Sequence, residues 1–536
     1  MKSEIKTTKQ RILSLVSSSF LILIITSLDF LSFGAKLLNP EKSHSRSVRN
    51  VSAVMFLYST IGAQFIFGLF SGLGGVCAGA IFEAQRDTRK IHEVCFRLSD
   101  SFGEEIFTTY VCIFLSTALY AFFSYILKVF RIGNYLRYIP IPALYGVMVS
   151  IGMMSVECGY EETYSITWKH VHACFAVTIC LALLALVLDI VFPAYFLMIP
   201  MFSFTVFVAF YGVFMIAGKD VEWMRSVNLV PKTEGISLDP LEVMRHFRVE
   251  NIRMEAVWAN WWNILGLSLF NLVHIAVNIP SFVESLGMKA ADLNKELGVQ
   301  SIGNAASAFL GYPTYFICST SIYFNKSGGR TRIHSLAGVA AISSLLVIGK
   351  PIRESIPVIL SATIPMFIGF GFLYSYLWLP MFKLSWMDLL TLVTSALVSW
   401  YLTPICGLVF GIALNSFYII VQRLSTRLGD AKAELEPNET VGLPDGMGRK
   451  ETYRVVDVAP MVLFGDLCES AKAMKGLYKE NILFDLRRCG HFGANANMAL
   501  EDMIETIAGN GYKTLIVGSP TNLYTHLFSR YMIDLQ

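Results

Sequence analysis

The sequence predicts an all-α polytopic membrane domain followed by a small C-terminal α/β domain. Of its 536 residues, 54% are hydrophobic and 15% are charged, and the mean hydropathy is +0.54. A soluble domain carries about 25% charged residues, so the chain belongs in a bilayer. Apolar segments continue to Ile420, after which the composition becomes that of a soluble protein. We therefore expect a membrane domain at residues 1–425, a flexible linker at 426–450 and a cytoplasmic domain at 451–536.

The apolar part divides into about fourteen segments, in two halves of about seven separated by the polar connector Lys219–Arg253. A helix needs about 20 apolar residues to cross a bilayer, so several segments are too short to span alone. The predicted segments of the first half are Ile12–Gly34, Val51–Phe70, Val76–Phe82, Ile106–Phe130, Tyr138–Met154, Val171–Val191 and Phe196–Ala217. Those of the second half are Met254–Phe282, Ser301–Leu310, Tyr315–Phe324, Ser335–Ile348, Val358–Leu379, Trp386–Trp400 and Leu402–Ile420. The charged loop Arg86–Asp100 is expected to carry an amphipathic helix.

Each half contains one interrupted passage. In the first half Ser71-Gly72-Leu73-Gly74-Gly75 precedes the short piece Val76–Phe82, and in the second half Gly311 and Pro313 break the stretch Ser301–Arg332. Irregular backbone at membrane depth is tolerated only inside protein or along a water-filled cavity. Paired interruptions in corresponding places indicate two inverted repeats that meet at a transporter's binding site. We expect two half-helices there, one in each half.

Polar side chains on otherwise apolar helices supply the candidate binding residues. Asp29 lies within the first span, where a carboxylate is costly and indicates function by default, the alternative being a position near the interface. Asn271, His274 and Asn278 share one helical face, which is typical either of a cavity lining or of hydrogen bonds between helices. Glu83 follows the first half-helix and is either functional or simply solvated.

Composition also predicts orientation and excludes several functions. The basic N-terminus and an even number of spans place both termini in the cytoplasm. A net charge of +3 gives no indication of nucleic-acid binding. There is no C-x-x-C pair, and H-E-x-x-H, G-x-S-x-G and P-loop patterns are absent from the sequence, so we expect no bound metal, no cofactor, no catalytic residues and no enzyme activity.

The C-terminal region alternates predicted strands and helices, as in a small α/β domain. The predicted strands are Thr452–Phe464, Asn481–Leu486 and Lys513–Val517, and the predicted helices are Ala471–Tyr478, Ala496–Ala508 and Leu523–Met532.

Three motifs resemble the sulfate permease (SulP) family of secondary transporters, whose members carry a C-terminal STAS domain. They are Asn294-Lys295-Glu296-Leu297, Gly303-Asn304 and Ser327-Gly328-Gly329-Arg330-Thr331-Arg332. The resemblance implies a seven-plus-seven inverted-repeat fold and homodimers. It also implies a substrate held between the N-termini of the third and tenth helices, here Gly74–Phe82 and Tyr315–Phe324. Together with Asp29 and Asn278, this gives the candidate substrate-binding residues Asp29, Ser71, Gly74, Gly75, Asn278, Tyr315, Cys318, Ser319 and Thr320.

Within that family, the runs SLDFLSFG, FLYSTIGAQ and HIAVNIPSF resemble a fungal branch associated with vacuolar membranes and basic amino acid storage. Anion-transporting members commonly have Ser-Arg at the start of the tenth helix, where this chain has Ser319-Thr320. Losing a cation while keeping Asp29 makes the site more negative, which favours a basic amino acid, with a proton as coupling ion. An inorganic anion (sulfate, bicarbonate or chloride) and a non-transporting sensor or scaffold stay open as alternatives, as does a plasma-membrane location.

The C-terminal region departs from the family in one loop. Where relatives of the STAS domain place Asp-Ser-Ser, this chain has Gly493-Ala494-Asn495. Without a hydroxyl, phosphorylation of that loop is not expected, and a docking or folding role is favoured.

Overall fold

The structure is a computed structural model. It describes residues 8–38, 42–45, 47–81, 83–131, 139–192, 195, 197–231, 244–286, 292–426, 440–444, 450–457, 481–486, 494–509, 511–517 and 531–533. By its internal contacts the chain forms two compact units, residues 1–134 with 151–372 and residues 135–150 with 373–536.

The first unit is built almost entirely of helices. In its first part they are α1 Thr8–Asp29, which continues as a π-helical turn Phe30–Gly34, α2 Val48–Phe70, α3 Gln85–Arg97, α4 Phe102–Val129, α5 Ile141–Tyr164, α6 Val171–Val191, α7 Met198–Ile216 and α8 Val221–Ser226. The first ten residues of α5 are counted with the second unit. In its second part they are α9 Met254–Ala259, α10 Trp261–Ser285, α11 Leu293–Leu310, α12 Cys318–Lys326, α13 Arg332–Ser343, α14 Leu345–Ser355 and α15 Val358–Leu373. Two three-residue strands, β1 Ala78–Ala80 and β2 Thr314–Phe316, interrupt this series.

The second unit contains the end of α15, which continues as a π-helical turn Tyr374–Trp378 and ends at Met381, and the helices α16 Trp386–Tyr401 and α17 Pro404–Thr426. It also contains a five-stranded sheet in the order β3-β4-β5-β6-β7. Its elements are β3 Thr440–Pro444, β4 Lys450–Asp457, β5 Ile482–Asp485, α18 Ala494–Gly509, β6 Thr514–Val517 and β7 Met532–Ile533. The β3–β4 pair is antiparallel, and the other neighbouring strands are parallel.

Seven of the described helices are long and apolar enough to cross a membrane, or eight if the bent pair α13–α14 is counted as one span. Large apolar side chains are exposed along them, for example on α6 and α7. In water such a surface would be unfavourable, whereas lipid solvates it. The protein is therefore a multi-pass integral membrane protein.

The prediction of a half-helix at Val76–Phe82 is wrong. The chain is extended there, as β1, and the third helix begins only at Gln85. The physical reason is that the Ala-Gly-Ala sequence of β1 has little apolar surface to bury, and side chains of α2 bond to its backbone. The predicted half-helix Tyr315–Phe324 likewise begins later, at Cys318, because Thr314–Phe316 forms β2.

Two further predicted ends differ from the structure. Helix α5 continues to Tyr164, beyond the predicted end at Met154, because Glu162 is paired with Lys36 and the half-exposed Glu161 is paired with Arg89. Helix α11 begins at Leu293, before the predicted Ser301, because the carboxylate of Asp292 accepts from the backbone N–H groups of the first turn. The amphipathic helix expected within Arg86–Asp100 is present as α3.

The C-terminal predictions are met in part of the described chain. Strands at Asn481–Leu486 and Lys513–Val517 correspond to β5 and β6, and the helix at Ala496–Ala508 corresponds to α18. Strand β3 lies inside the stretch expected to be linker. Residues 458–464, the helix expected at Ala471–Tyr478, and residues 523–530 of the last predicted helix lie outside the described residues, and Met532 begins a strand.

Candidate binding site

The two interrupted passages meet as an antiparallel pair of strands inside the helices, which we call the strand crossing. Ala78 lies opposite Phe316, Gly79 opposite Tyr315 and Ala80 opposite Thr314. All six residues are buried. Two strands of three residues leave many N–H and C=O groups unpaired, and at membrane depth each of these must find a partner within the protein.

Amide side chains from two helices supply those partners. On α2, Gln64 accepts from Ala78 N and donates to Val76 O, both at 2.9 Å. On α11, Asn304 accepts from Thr314 N at 2.8 Å and donates to Thr314 O at 2.9 Å. Each strand therefore has one N–H bonded by a buried amide on the helix that precedes it. Gln64 also bonds the carbonyl of Val76, just before β1, and Gln300 shares Thr314 O with Asn304.

Asp29 lies beside the strand crossing, at the point where α1 becomes a π-helical turn. It borders a small cavity of about 10 Å³, which is room for about one water molecule. The residues around this cavity come from α1, α2, β1 and the start of α12, and they are Ile22, Thr26, Asp29, Phe56, Thr60, Cys77, Ala78, Gly79, Ala80, Ile317 and Thr320. This lining includes one carboxylate and no Lys, Arg or His, so the cavity favours a positively charged group.

A second carboxylate and a phenol extend the polar site. Tyr315 Oη donates to Glu83 Oε1 at 2.6 Å, and both side chains are buried. The Tyr315 phenol lies within electrostatic range of Asp29, Glu83 and Cys318. Glu83 thus belongs to the site, and the alternative that it is simply solvated is wrong.

The start of α12 brings three predicted residues to this place. Thr320 is buried and borders the cavity, Cys318 is half-buried and Ser319 is exposed. The first N–H groups of a helix have no partner within it and carry a partial positive charge, which attracts the oxygen atoms of a bound solute. The site therefore pairs acidic side chains with one positive helix end.

Helix α10 closes the site from behind the strands. Asn278 Nδ2 donates to Phe316 O at 3.1 Å, so this predicted residue supports a strand. His274 packs its ring against Tyr315 with centroids 4.9 Å apart. Its Nε2 and both amide atoms of Asn271 are buried without a hydrogen-bond partner among the described residues. Because buried polar groups are normally paired, these atoms mark a place for water or solute.

The structure places Ser71, Gly74 and Gly75 elsewhere. These residues pack against Gly328–Arg332, and we call this contact the glycine junction. Ser71 Oγ donates to Glu296 Oε2 at 2.9 Å, and a Cβ on Gly75 would lie 1.7 Å from Gly329 O. The neighbouring His334 bonds to Ser14 of α1, about four turns or roughly 22 Å along that helix from Asp29. The junction is therefore not part of the cavity beside Asp29.

Sequence reasoning missed Gln64 and Thr60 as functional positions. Both lie on α2 within the run FLYSTIGAQ, whose polar residues recur at helical spacing on an apolar helix. Thr60 Oγ1 accepts from Ala80 N at 3.2 Å and also borders the cavity. The sequence signal for these positions is that Gln64 follows Thr60 by four residues, so that two polar side chains share one face of a membrane helix.

Helices that cross a bilayer, two strands paired between them and a polar cavity at the pair define a class of protein, the membrane transporters. A sequence profile described as the sulfate permease family matches residues 45–395. The chain belongs to this family of transporters, which confirms the resemblance seen in its motifs.

The chain is also similar to individual members of known function. It is 23% identical over 438 residues to the vacuolar basic amino acid transporter VSB1 of Saccharomyces cerevisiae, covering 78% of this chain and 42% of that protein. It is 26% identical over 253 residues to the bicarbonate transporter BicA of Synechocystis, covering 44% of this chain and 43% of that one. The chain thus spans less than half the length of these relatives.

Solved structures share the fold. The murine solute carrier 26 family member A9 anion transporter, in its inward-facing state, matches with a TM-score of 0.56 at 14% identity, covering 98% of this chain and 88% of that one. The transmembrane domain of the cyanobacterial transporter BicA matches with a TM-score of 0.50 at 14% identity, covering 76% and 99%. At this identity the likeness establishes the fold alone.

Proposed function

We propose that this protein is a secondary active transporter that moves a basic amino acid by alternating access, with protons as the coupling ion. The observation that carries the proposal is the charge around the cavity beside Asp29, whose lining has a carboxylate and no cationic side chain. The cavity has room for about one water molecule here, so alternating access has to widen it to admit an amino acid. A cationic side chain would neutralise Asp29, and the substrate carboxylate would face the N-terminus of α12. The similarity to a basic amino acid transporter of the yeast vacuole supports this substrate class and an endomembrane location.

Alternating access requires two elements that move against each other around the site. We propose that the fold is built of seven-plus-seven inverted repeats, in which α2 and β1 correspond to α11 and β2. The matching roles of Gln64 and Asn304 support this correspondence, since each bonds the strand that follows its own helix. The strand crossing and its helices would then move against α5–α7.

A proton role for Asp29 follows from its surroundings. Asp29 is half-buried within electrostatic range of a second carboxylate, Glu83, and either a proton or a cationic group bound there would relieve the repulsion between them. Asp29 would release its proton on one side of the membrane and bind the solute on the other. Proton flow and solute flow across the membrane would then be coupled. Asp29 is accordingly proposed as the residue that both substrate and proton compete for.

Transport of an inorganic anion is the second candidate, and the helix N-termini favour it. Both α3 and α12 begin next to the strand crossing, and their N–H groups suit an anion. BicA, a bicarbonate transporter, is similar to this chain. The acidic lining opposes this candidate, because Asp29 and Glu83 would repel an anion unless both were protonated.

The last proposals concern the C-terminal domain and the oligomeric state. The mixed five-stranded order of the C-terminal sheet, with α18 between β5 and β6, is consistent with a STAS-like domain, which we propose lies in the cytoplasm with both chain termini. We also propose that the protein forms a homodimer, as the family resemblance implies.

Uptake into proteoliposomes distinguishes the two substrates. Purified protein is reconstituted, and radiolabelled arginine, sulfate and bicarbonate are each offered with and without an imposed pH gradient. We expect arginine uptake that depends on the gradient and is reduced by excess lysine. Uptake of sulfate or bicarbonate without arginine uptake would overturn the proposal in favour of the anion.

A further inference from the structure

Two ion pairs join α5 to the elements around the strand crossing. Lys36, which follows the π-helical turn of α1, pairs with Glu162, and both side chains are largely buried at 18% and 13% exposure. Arg89 on α3 pairs with Glu161 through Nη1 and Oε2 at 2.6 Å. Glu161 and Glu162 are consecutive residues near the end of α5, so one short stretch of α5 holds both α1 and α3.

Further hydrogen bonds connect the two pairs. Arg89 Nε donates to Lys36 O at 3.0 Å, which ties the two cations together. Ser361 Oγ of α15 donates to Glu162 Oε1 at 2.7 Å. These contacts form one network, which we call the ionic latch and define as Lys36, Arg89, Glu161 and Glu162.

The ionic latch lies between two cavities. One cavity has a volume of about 410 Å³ and the other about 460 Å³, and Arg89, Cys158 and Glu161 line both of them. The first cavity also reaches Glu83, the residue that accepts the hydrogen bond of Tyr315 at the strand crossing. Separating Arg89 from Glu161 would join the two cavities, so that the second cavity would also lead to Glu83.

The opposite end of α1 has a contact of another kind. Tyr323 Oη on α12 donates to Asp189 Oδ1 on α6 at 2.5 Å. Tyr323 lies near the glycine junction, since Gly329 packs against the neighbouring Phe324. The strand crossing is thus joined to α5 by ion pairs at one end and to α6 by a single hydrogen bond at the other.

We propose that the ionic latch is a gate: it closes the passage between the second cavity and Glu83 and opens when α5 separates from α1 and α3. This inference rests on the alternating access proposed above. The Tyr323–Asp189 bond is its counterpart on the other side. Each conformational change breaks one contact while the other holds, so the site is exposed to one side at a time.

The native Cys158 reports on the gate directly. It lines both cavities and is only 8% exposed, so its thiol is protected while the latch is closed. The rate of modification by a membrane-impermeant maleimide is measured on the full chain in nanodiscs without solute. The same measurement in a Cys158→Ser background gives the contribution of other cysteines, which is subtracted.

We expect the double variant Glu161→Gln/Glu162→Gln to be modified at least about fivefold faster than the wild type, because removing the partner of a largely buried cation favours the open state. Glu157→Gln is the matched control. Glu157 lies on the same helix, lines the first cavity and makes no ion pair among the described residues, so its modification rate should stay at the wild-type value.

Exchanging the two charges of an ion pair tests whether the pair itself, and not either residue alone, closes the gate. Lys36→Glu combined with Glu162→Lys should return Cys158 to about the wild-type rate, while either change alone should raise it. Tyr323→Phe should lower the rate, since weakening the opposite contact favours closure of this one. Equal modification rates in the wild type and the double variant, or an equal rise in Glu157→Gln, would overturn the gate.

The outcome is separable from that of the proposed function. Modification is measured without substrate, and size-exclusion profiles confirm that each variant is folded. If Cys158 behaves as expected while arginine uptake is absent, the gate stands and the substrate assignment fails. If arginine is transported while modification is insensitive to the latch, the gate fails and the function stands.

Discussion

The strand crossing and the glycine junction lie at the two ends of one segment, residues 71–80, yet they are stabilised in opposite ways. At the crossing, side chains satisfy the backbone, and a small cavity stays beside Asp29. At the junction two backbone segments touch directly, with no room for side chains: Gly74 has a φ of +86°, and a Cβ there would lie 2.9 Å from Arg330 O. Glycine at the junction therefore serves packing, while the proposed binding site lies at the crossing.

The largest expected effect is at the junction. Gly75→Ala would place Cβ 1.7 Å from the backbone oxygen of Gly329, which no side-chain movement can relieve. We expect a loss of more than about 4 kcal/mol and little folded protein, measured as monodisperse yield after size exclusion. Gly212→Ala is the control, because a Cβ there would meet no atom within 4 Å. A well-folded Gly75→Ala protein would contradict this prediction, because it would show that the junction can accommodate a side chain.

The second effect separates function from folding at the crossing. Asp29→Asn should lower arginine uptake about 100-fold or more, since losing the partner of a buried cation costs about 3 kcal/mol. The melting temperature should not fall, because the structure gives Asp29 a cavity rather than a structural contact. Arginine uptake that persists in this variant would remove Asp29 from the binding role.

The third effect concerns the amides that hold the strands. Gln64→Leu and Asn304→Leu each leave one buried strand N–H without its partner, at a cost of about 1–3 kcal/mol, while Val76 O keeps Ser335 Oγ and Thr314 O keeps Gln300 Nε2. We expect both to lower the melting temperature by similar amounts, since the two amides act equivalently. Ser343→Ala removes only a bond to Val339 O within its own helix and should change little. A fall in only one of the two amide variants would argue against the repeat correspondence.

The smallest effect tests how Glu83 is held. Tyr315→Phe keeps the ring contact with His274 and removes the bond to Glu83, which is worth about 1.5 kcal/mol for a charged acceptor. Arginine uptake should fall about tenfold, and the free energy of unfolding should fall by about the same 1.5 kcal/mol. Tyr312→Phe is the control: its hydroxyl lies 3.0 Å from Ser52 Oγ, away from the cavity, and uptake should stay within about twofold of wild type. Equal losses in the two variants would mean that Glu83 has no special role.

The sequence alone determined the membrane class, the family and the presence of two interrupted passages. Long apolar runs have one stable outcome in a bilayer, the helix, and a Gly-Pro break cannot continue one. Asp29 could also be identified as a candidate binding residue, because a carboxylate within an apolar membrane helix is costly and indicates function by default.

Only the tertiary structure decided what the interruptions become. Local pattern favoured half-helices at Val76–Phe82 and Tyr315–Phe324, but β1 and β2, from opposite halves of the membrane domain, pair with each other, and Gln64 and Asn304 on the preceding helices bond further N–H groups. Other tertiary contacts place Ser71, Gly74 and Gly75 away from Asp29 and bring Glu83 to Tyr315. Which polar groups meet in the interior depends on how helices pack, and packing is set by contacts between distant segments that no local periodicity encodes.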